Sequence, residues 1–197
     1  NNVSGAGTDL HFQIECFMNN PNLPAGYQHI DLYSINKKNT NFNNHDVSLE
    51  WSYFLKYIQD YPDFKPYRTE WIIYHEELKL SGSIDMIFEN PDGTLQIYDW
   101  KRCKEIQHEN NFGKYSTTSC ISHLPDTNFW HYALQLNVYK TILEHKYGKK
   151  VTNLYLVCIH PDNPYKTYER IEVPFLNDEI KDLFELRLSE VREMTSK

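Results

Sequence analysis

Apolar positions recur along this chain at two spacings, and the switches between them predict its elements. Leu10, Ile14 and Phe17 fall on one helical stripe, with Thr8 or Asp9 placed to cap its start. Residues 19–46 hold two prolines and many asparagines and read as irregular loop with a short helical turn. Leu49, Tyr53, Phe54, Tyr57 and Ile58 mark a second helix over 47–61, closed by Pro62. The period then drops to that of strands: 70–75, a turn over 76–79, and 80–88. Asn90-Pro91-Asp92-Gly93 is strong turn chemistry, so 80–88 and the following strand through Lys101 should be antiparallel neighbours. Residues 105–128 are polar and aperiodic, a long surface loop that could serve as a lid or substrate guide. The clearest helix follows over 129–147, with Leu134, Val138, Ile142 and Leu143 on its core side and Gly148 as its stop. An apolar strand over 154–159, an edge-like strand over 168–173 and a helix over 177–194, capped by Asn177 or Asp178, complete the chain. The order helix, helix, three strands, helix, two strands, helix predicts an α/β fold: a three-layer sandwich with a central mixed β-sheet flanked by helices.

Length and composition narrow this picture. With 197 residues, 40% of them hydrophobic, the chain can fill one core, and no repeat or linker divides it, so residues 1–197 read as a single domain. It opens abruptly at Asn1, as a domain cut from a longer protein would. Its longest apolar runs are a handful of residues, against the roughly 20 that a membrane helix requires. It shows no basic leader followed by an apolar stretch, so an intracellular setting is expected and no membrane partner. Cys16, Cys103, Cys120 and Cys158 form no CxxC pair, which argues against structural zinc and a disulfide framework and for free thiols. The formal charge of −7 opposes a passive nucleic-acid-binding module. It opposes a metal-dependent enzyme less, because some acids would hold cations while Lys101, Arg102, Lys104 and Lys114 line one groove.

The candidate chemistry centres on 81–101. Asp99 and Lys101, two apart in a strand, project to one face, while the Trp100 indole faces the core, and hairpin pairing can bring Asp85 alongside. Two carboxylates and an ammonium in one patch are costly to bury unless a divalent cation uses them to activate water. Gly82 would permit close backbone approach beside this patch. His11 and Glu15, four apart, share a helical face, as do Gln135 and Tyr139.

In order, these elements are G-T-x-x-H-x-x-x-E at 7–15, Glu70, G-x-x-D at 82–85, D-W-K at 99–101 and Q-x-x-x-Y at 135–139. The set resembles the PD-(D/E)XK nuclease superfamily, whose core is restriction-endonuclease-like, and within it the RecB-like exonuclease branch, from Gly7 to about Pro161. The resemblance implies that His11, Asp85 and Asp99 bind the metal, with the Trp100 backbone carbonyl a further ligand. Lys101 would orient or deprotonate the attacking water and steady the developing charge. Gln135 and Tyr139 would help hold the nucleic acid and the lysine; Glu70 and Glu15 would stand near the site. Asp99 departs from the commoner Glu. The cysteine quartet that holds an iron–sulfur cluster in some relatives is missing, so none is expected.

Oxygen ligands with one imidazole suit Mg²⁺ or Mn²⁺ better than zinc, and one or two ions would fit. The expected function is a metal-dependent hydrolase of DNA phosphodiester bonds, an exonuclease on single-stranded or frayed ends, in repair, replication or recombination, with a fused or associated helicase or replication protein. The alternatives are an endonuclease on RNA or branched DNA, and an inactive nucleic-acid-binding domain of the same fold.

Overall fold

The computed structural model describes residues 2–19, 41–42, 45–109 and 114–197. Within them the chain runs α1 (Asn2–Met18), β1 (Asn41–Phe42), β2 (His45–Asp46), α2 (Ser48–Asp60), β3 (Lys65–His75), β4 (Leu80–Glu89), β5 (Leu95–Lys101), a 3₁₀ turn (Ser119–Ile121), α3 (Asn128–Lys146), β6 (Val151–Cys158), β7 (Glu169–Val173) and α4 (Asn177–Thr195). Most of the irregular loop expected over 19–46 lies outside the described residues. At its end, β1 and β2 form a small antiparallel ladder.

The central sheet has the order β3-β4-β5-β6-β7, parallel only between β5 and β6. The turn between β4 and β5 is the expected one: Asn90 N donates to Thr94 O, Gly93 N donates to Asn90 O, and Gly93 takes the positive φ of 85° that this bend requires. One sheet face packs against α1 and α2 through Leu10, Ile14, Phe17, Trp51, Phe54 and Tyr57, which meet Met86, Phe88, Tyr98 and Trp100. The other face carries Ile84, Ile87, Ile97 and Leu154 against Ala133, Leu136, Ile142 and Leu143 of α3, Ile180 of α4 being buried as well. Helices on both faces of a mixed sheet make the three-layer α/β sandwich. No helix among the described residues is long and apolar enough to cross a membrane.

Several local expectations are corrected. α1 starts at Asn2, so Thr8 and Asp9 lie inside the helix rather than capping it. Gly5 and Gly7 each disfavour a helix by about 1 kcal/mol, which is why the pattern suggested a later start; packing of Leu10, Ile14 and Phe17 overrides that cost. Leu49 is 46% exposed, because α2 turns Trp51, Phe54, Leu55 and Ile58 inward instead. In α3 the buried face runs through Ala133, Leu136, Asn137 and Lys140, leaving Leu134 and Val138 half-buried. α4 is preceded by Leu176, and neither Asn177 nor Asp178 is its N-cap. The 105–128 segment is not all surface, since Ile121 and Leu124 are buried in the core. Its start is pinned to α3: the Asn128 side chain accepts from Gln107 N and donates to Glu105 O.

Candidate active site

Three carboxylates stand in a row across β3, β4 and β5, where β5 leaves β4. The β4–β5 ladder ends at the pair Met86–Tyr98, so Asp85 and Asp99 face each other just past the last paired residues. Asp85 Oδ2 accepts from Trp100 N at 3.0 Å and so occupies an amide that a continuing ladder could have used. On the other side of β4, Thr69 pairs with Met86 and Trp71 with Ile84, which sets Glu70 opposite Asp85. Glu70 holds φ at 44°, a conformation that costs a residue with a side chain about 1–3 kcal/mol and that concentrates at functional sites. Ser83 Oγ donates to Glu70 Oε2 at 3.3 Å.

α1 supplies the imidazole. His11 Nε2 lies 2.6 Å from the Trp100 carbonyl oxygen, which can only accept, so Nε2 carries the proton and Nδ1 keeps a lone pair. Nδ1 is 3.9 Å from Asp85 Oδ2. Burial pushes the imidazole's proton affinity down, ahead of the opposing pull of the Trp100 carbonyl and the Asp99 charge, so the ring is neutral at neutral pH. Donation of one ring nitrogen to a backbone carbonyl orients the other as a metal ligand would be oriented. One helical turn further on, the charge of Glu15 acts on Glu70.

The carboxylates are poised for a cation. Burial raises the protonation range of Asp85 well above the ordinary value, and a hydrogen bond with the Asp99 carboxyl and the charges of Asp99 and Glu70 raise it further. Glu70 is raised by burial, then by Glu15 and Asp99. Among the described residues, His11, Glu70 and Asp85 each offer one donor atom within 4.8 Å of the others, Glu70 being the most exposed. One nitrogen and two carboxylate oxygens at this spacing are a donor set that fits a hard divalent cation.

Lys101 extends to Asp99 Oδ2 at 2.9 Å, with the latter 6% exposed. Burial works against the ammonium, but the charges of Asp99 and Asp85 outweigh it and raise the lysine's proton affinity. Its Nζ also sits 4.2 Å from the centroid of the Tyr132 ring on α3. Tyr132 was not singled out by the pattern, although it lies three residues before Gln135 and hence on a neighbouring part of the same helix face. On that face Gln135 Nε2 donates to Tyr139 Oη at 2.8 Å, which leaves the Tyr139 hydroxyl proton free for another acceptor. The Tyr139 ring lies against Gly82: a Cβ there would meet Tyr139 Cε1 at 2.2 Å. Trp100 is 2% exposed, its indole set edge-on to Phe54 and Tyr57 on the α1–α2 side.

The structure thus brings His11, Glu70, Asp85, Asp99 and Lys101 together, with Gln135 and Tyr139 on the adjoining helix. Arg102 is not in the groove lining: its Nε donates to Glu50 Oε2 at 3.1 Å, and Glu50 is 2% exposed. Further from the site, Lys146 pairs with Glu77 and Lys149 lies over the Tyr67 ring.

The sequence profile described as the PD-(D/E)XK nuclease superfamily matches residues 44–196, a span that contains Glu70, Asp85, Asp99, Lys101, Gln135 and Tyr139 but not α1. No protein of curated function matches the sequence. Among the solved structures that resemble the fold is one from Eubacterium rectale named "Putative exonuclease", at a TM-score of 0.51 and 12% identity. The likeness covers 99% of this chain and 66% of that one, so this chain spans a little under two thirds of that protein.

Proposed function

The chain belongs to the PD-(D/E)XK nuclease superfamily, and we propose that it is a divalent-cation-dependent deoxyribonuclease that degrades single-stranded or frayed DNA from an end. The observation that carries this reading is the Glu70–Asp85–Asp99 row, flanked by a neutral imidazole and an ammonium. A passive binding surface gains nothing from carboxylates that repel one another and any phosphate.

His11 Nδ1, Asp85 and Glu70 or Asp99, with the Trp100 carbonyl close by, would hold Mg²⁺ or Mn²⁺. When bound, the cation would polarise the phosphoryl group and lower the proton affinity of a water nucleophile. The chain's own residues supply the rest. Trp100 N fixes the Asp85 carboxylate, and the Trp100 carbonyl fixes the His11 ring, so both donors are oriented before a ligand arrives. Lys101, held as a cation by Asp99 and Tyr132, would hydrogen-bond the attacking water and offset charge building on the phosphoryl oxygens. Tyr139, oriented by Gln135, would donate to a backbone phosphate. The preference for a strand end rests on the motif order that resembles the RecB-like exonucleases. An enzyme with this preference would work inside the cell, alongside an activity that opens duplex ends.

The test is a time course with Mg²⁺ or Mn²⁺ on end-labelled linear and on circular single-stranded DNA. The reading predicts loss of the linear strand with mononucleotide or short products, and intact circles. Equal cleavage of circles, or preference for RNA, would replace it with an endonuclease or ribonuclease; no cleavage of any strand would remove the catalytic claim.

A further inference from the structure

Two of the four thiols meet immediately behind Lys101. In the parallel β5–β6 ladder, Lys101 is the register partner of Cys158, and Ile159 N donates to Lys101 O at 2.7 Å, so the lysine's backbone is clamped to β6. Cys103 lies two residues further on, and its Sγ is 3.4 Å from Cys158 Sγ. The Cys158 thiol also reaches the Cys103 carbonyl, with Sγ 2.7 Å from O. The proposed mechanism uses neither sulfur. Cys158 is 2% exposed, while Cys103 is partly open to solvent, so a small oxidant would meet Cys103 first.

We propose that Cys103 and Cys158 form a redox-modification site: a hydroperoxide joins them as a disulfide, and the closure displaces Lys101 from Asp99 and slows cleavage. The pairing stands on geometry alone; its effect on rate rests on the nuclease reading. The Cys103 thiolate attacks the peroxide, forming an S–O bond as the O–O bond breaks, and the departing hydroxide takes a proton to leave as water. The Cys158 sulfur then attacks the resulting sulfenic acid; the S–S bond forms, the S–O bond breaks, and a second water leaves. Two thiols and one hydrogen peroxide give one disulfide and two waters. The environment suits Cys103 as the first to attack, since the hydrogen bond with Cys158 lowers its proton affinity against the effect of burial, with help from the Lys101 charge.

A disulfide sets its sulfurs about 2.05 Å apart, so these must close by roughly 1.4 Å. Cys158 is held within the sheet, which leaves the Cys103 segment to move. Downstream slack is limited, because Glu105 and Gln107 are tied to Asn128 at the start of α3. With both ends of the segment held, the closure pulls on the Ile159 N–Lys101 O bond at the end of β5, and the contacts of Lys101 to Asp99 and to the Tyr132 ring depend on where that end lies.

The experiment treats the reduced chain with hydrogen peroxide, removes the peroxide by desalting, blocks remaining thiols with N-ethylmaleimide, and maps peptides by mass. Cleavage of a single-stranded oligonucleotide with Mg²⁺ is followed in parallel. Expected are a linked peptide pair carrying Cys103 and Cys158, a cleavage rate at least tenfold lower, and recovery with dithiothreitol. Cys103→Ser should keep the basal rate and ignore peroxide, and Cys158→Ala should do the same if Ser is not tolerated at the buried position. Separately blocked Cys103 and Cys158, under peroxide that has already oxidised the exposed Cys16, would overturn the pairing. A linked pair with an unchanged rate would overturn the control of Lys101. A reduced chain that cleaves nothing would overturn the nuclease reading and with it the effect on rate, while the mass map still decides the disulfide.

Discussion

Replacing Gly82 by Ala should damage the site without touching any charged group. The new Cβ would lie 2.2 Å from Tyr139 Cε1, 3.0 Å from Cζ and 3.1 Å from Cδ1, and ordinary contact begins near 3.4 Å. The ring must retreat by at least about 1.2 Å, or β4 must shift away from α3 by as much. Overpacking of this size costs about 1–3 kcal/mol. Movement of the ring also strains the 2.8 Å hydrogen bond from Gln135, worth about 1 kcal/mol. In a domain of this length, 1–3 kcal/mol corresponds to a fall in Tm of roughly 2–12 °C. Because the strain is local, urea unfolding should show a lower midpoint with an unchanged slope. Displacement of a substrate-positioning group by about 1 Å should lower the cleavage rate on the order of tenfold to a hundredfold. The decisive assay is a double-mutant cycle with Tyr139→Ala. Gly82→Ala should be costly when Tyr139 is intact and nearly neutral in the Tyr139→Ala background, where the colliding ring is gone. An equal cost in both backgrounds, or none in either, would refute the argument that the glycine is there to admit the ring.

Three further outcomes follow from other contacts. Folding without metal raises the protonation ranges of Asp85 and Glu70, so the stability they contribute is full below the ordinary carboxylate range and is lost as pH rises through their raised folded values. Metal-free Tm should therefore fall with rising pH above about 4, while Mn²⁺ affinity by calorimetry should climb, by about tenfold per pH unit for each proton displaced; an affinity that stays flat as pH rises from the ordinary carboxylate range would contradict this. Arg102→Met strands the buried Glu50 carboxylate and should cost about 3–5 kcal/mol in chemical denaturation, most of it recovered in the Arg102→Met/Glu50→Leu double variant. Tyr132→Ala removes the ring beneath Lys101 and should lower the maximal cleavage rate about threefold to thirtyfold, whereas Tyr132→Phe should stay close to the parent.

What the sequence disclosed follows the range of the interactions. Asp85, Asp99 and Lys101 were legible because a strand period of two and an Asn-Pro-Asp-Gly turn are local signals that fix which side chains meet. Gln135 and Tyr139 were legible as a pair at helical spacing. Glu70 entered only by its order among the motifs, since its approach to Asp85 depends on a positive φ that no local pattern announces. His11 was marked by its place in that order, and its orientation required the Trp100 carbonyl from a strand 89 residues away. The pairing of Arg102 with Glu50 and the meeting of Cys103 with Cys158 span more than fifty residues each and could not be read from spacing. They arise from sheet register and helix docking. The start of α1 and the exposure of Leu49 were misread because tertiary packing, rather than propensity, set them.

The central claim is that Lys101 works beside a cation held by the carboxylate row and His11. Its most direct test is Lys101→Ala, read by cleavage of an end-labelled single strand and by Mn²⁺ calorimetry on the same preparation. The account predicts a loss of cleavage of at least a hundredfold with Mn²⁺ binding retained. Cleavage near the parent rate by a variant that still binds Mn²⁺ would contradict it.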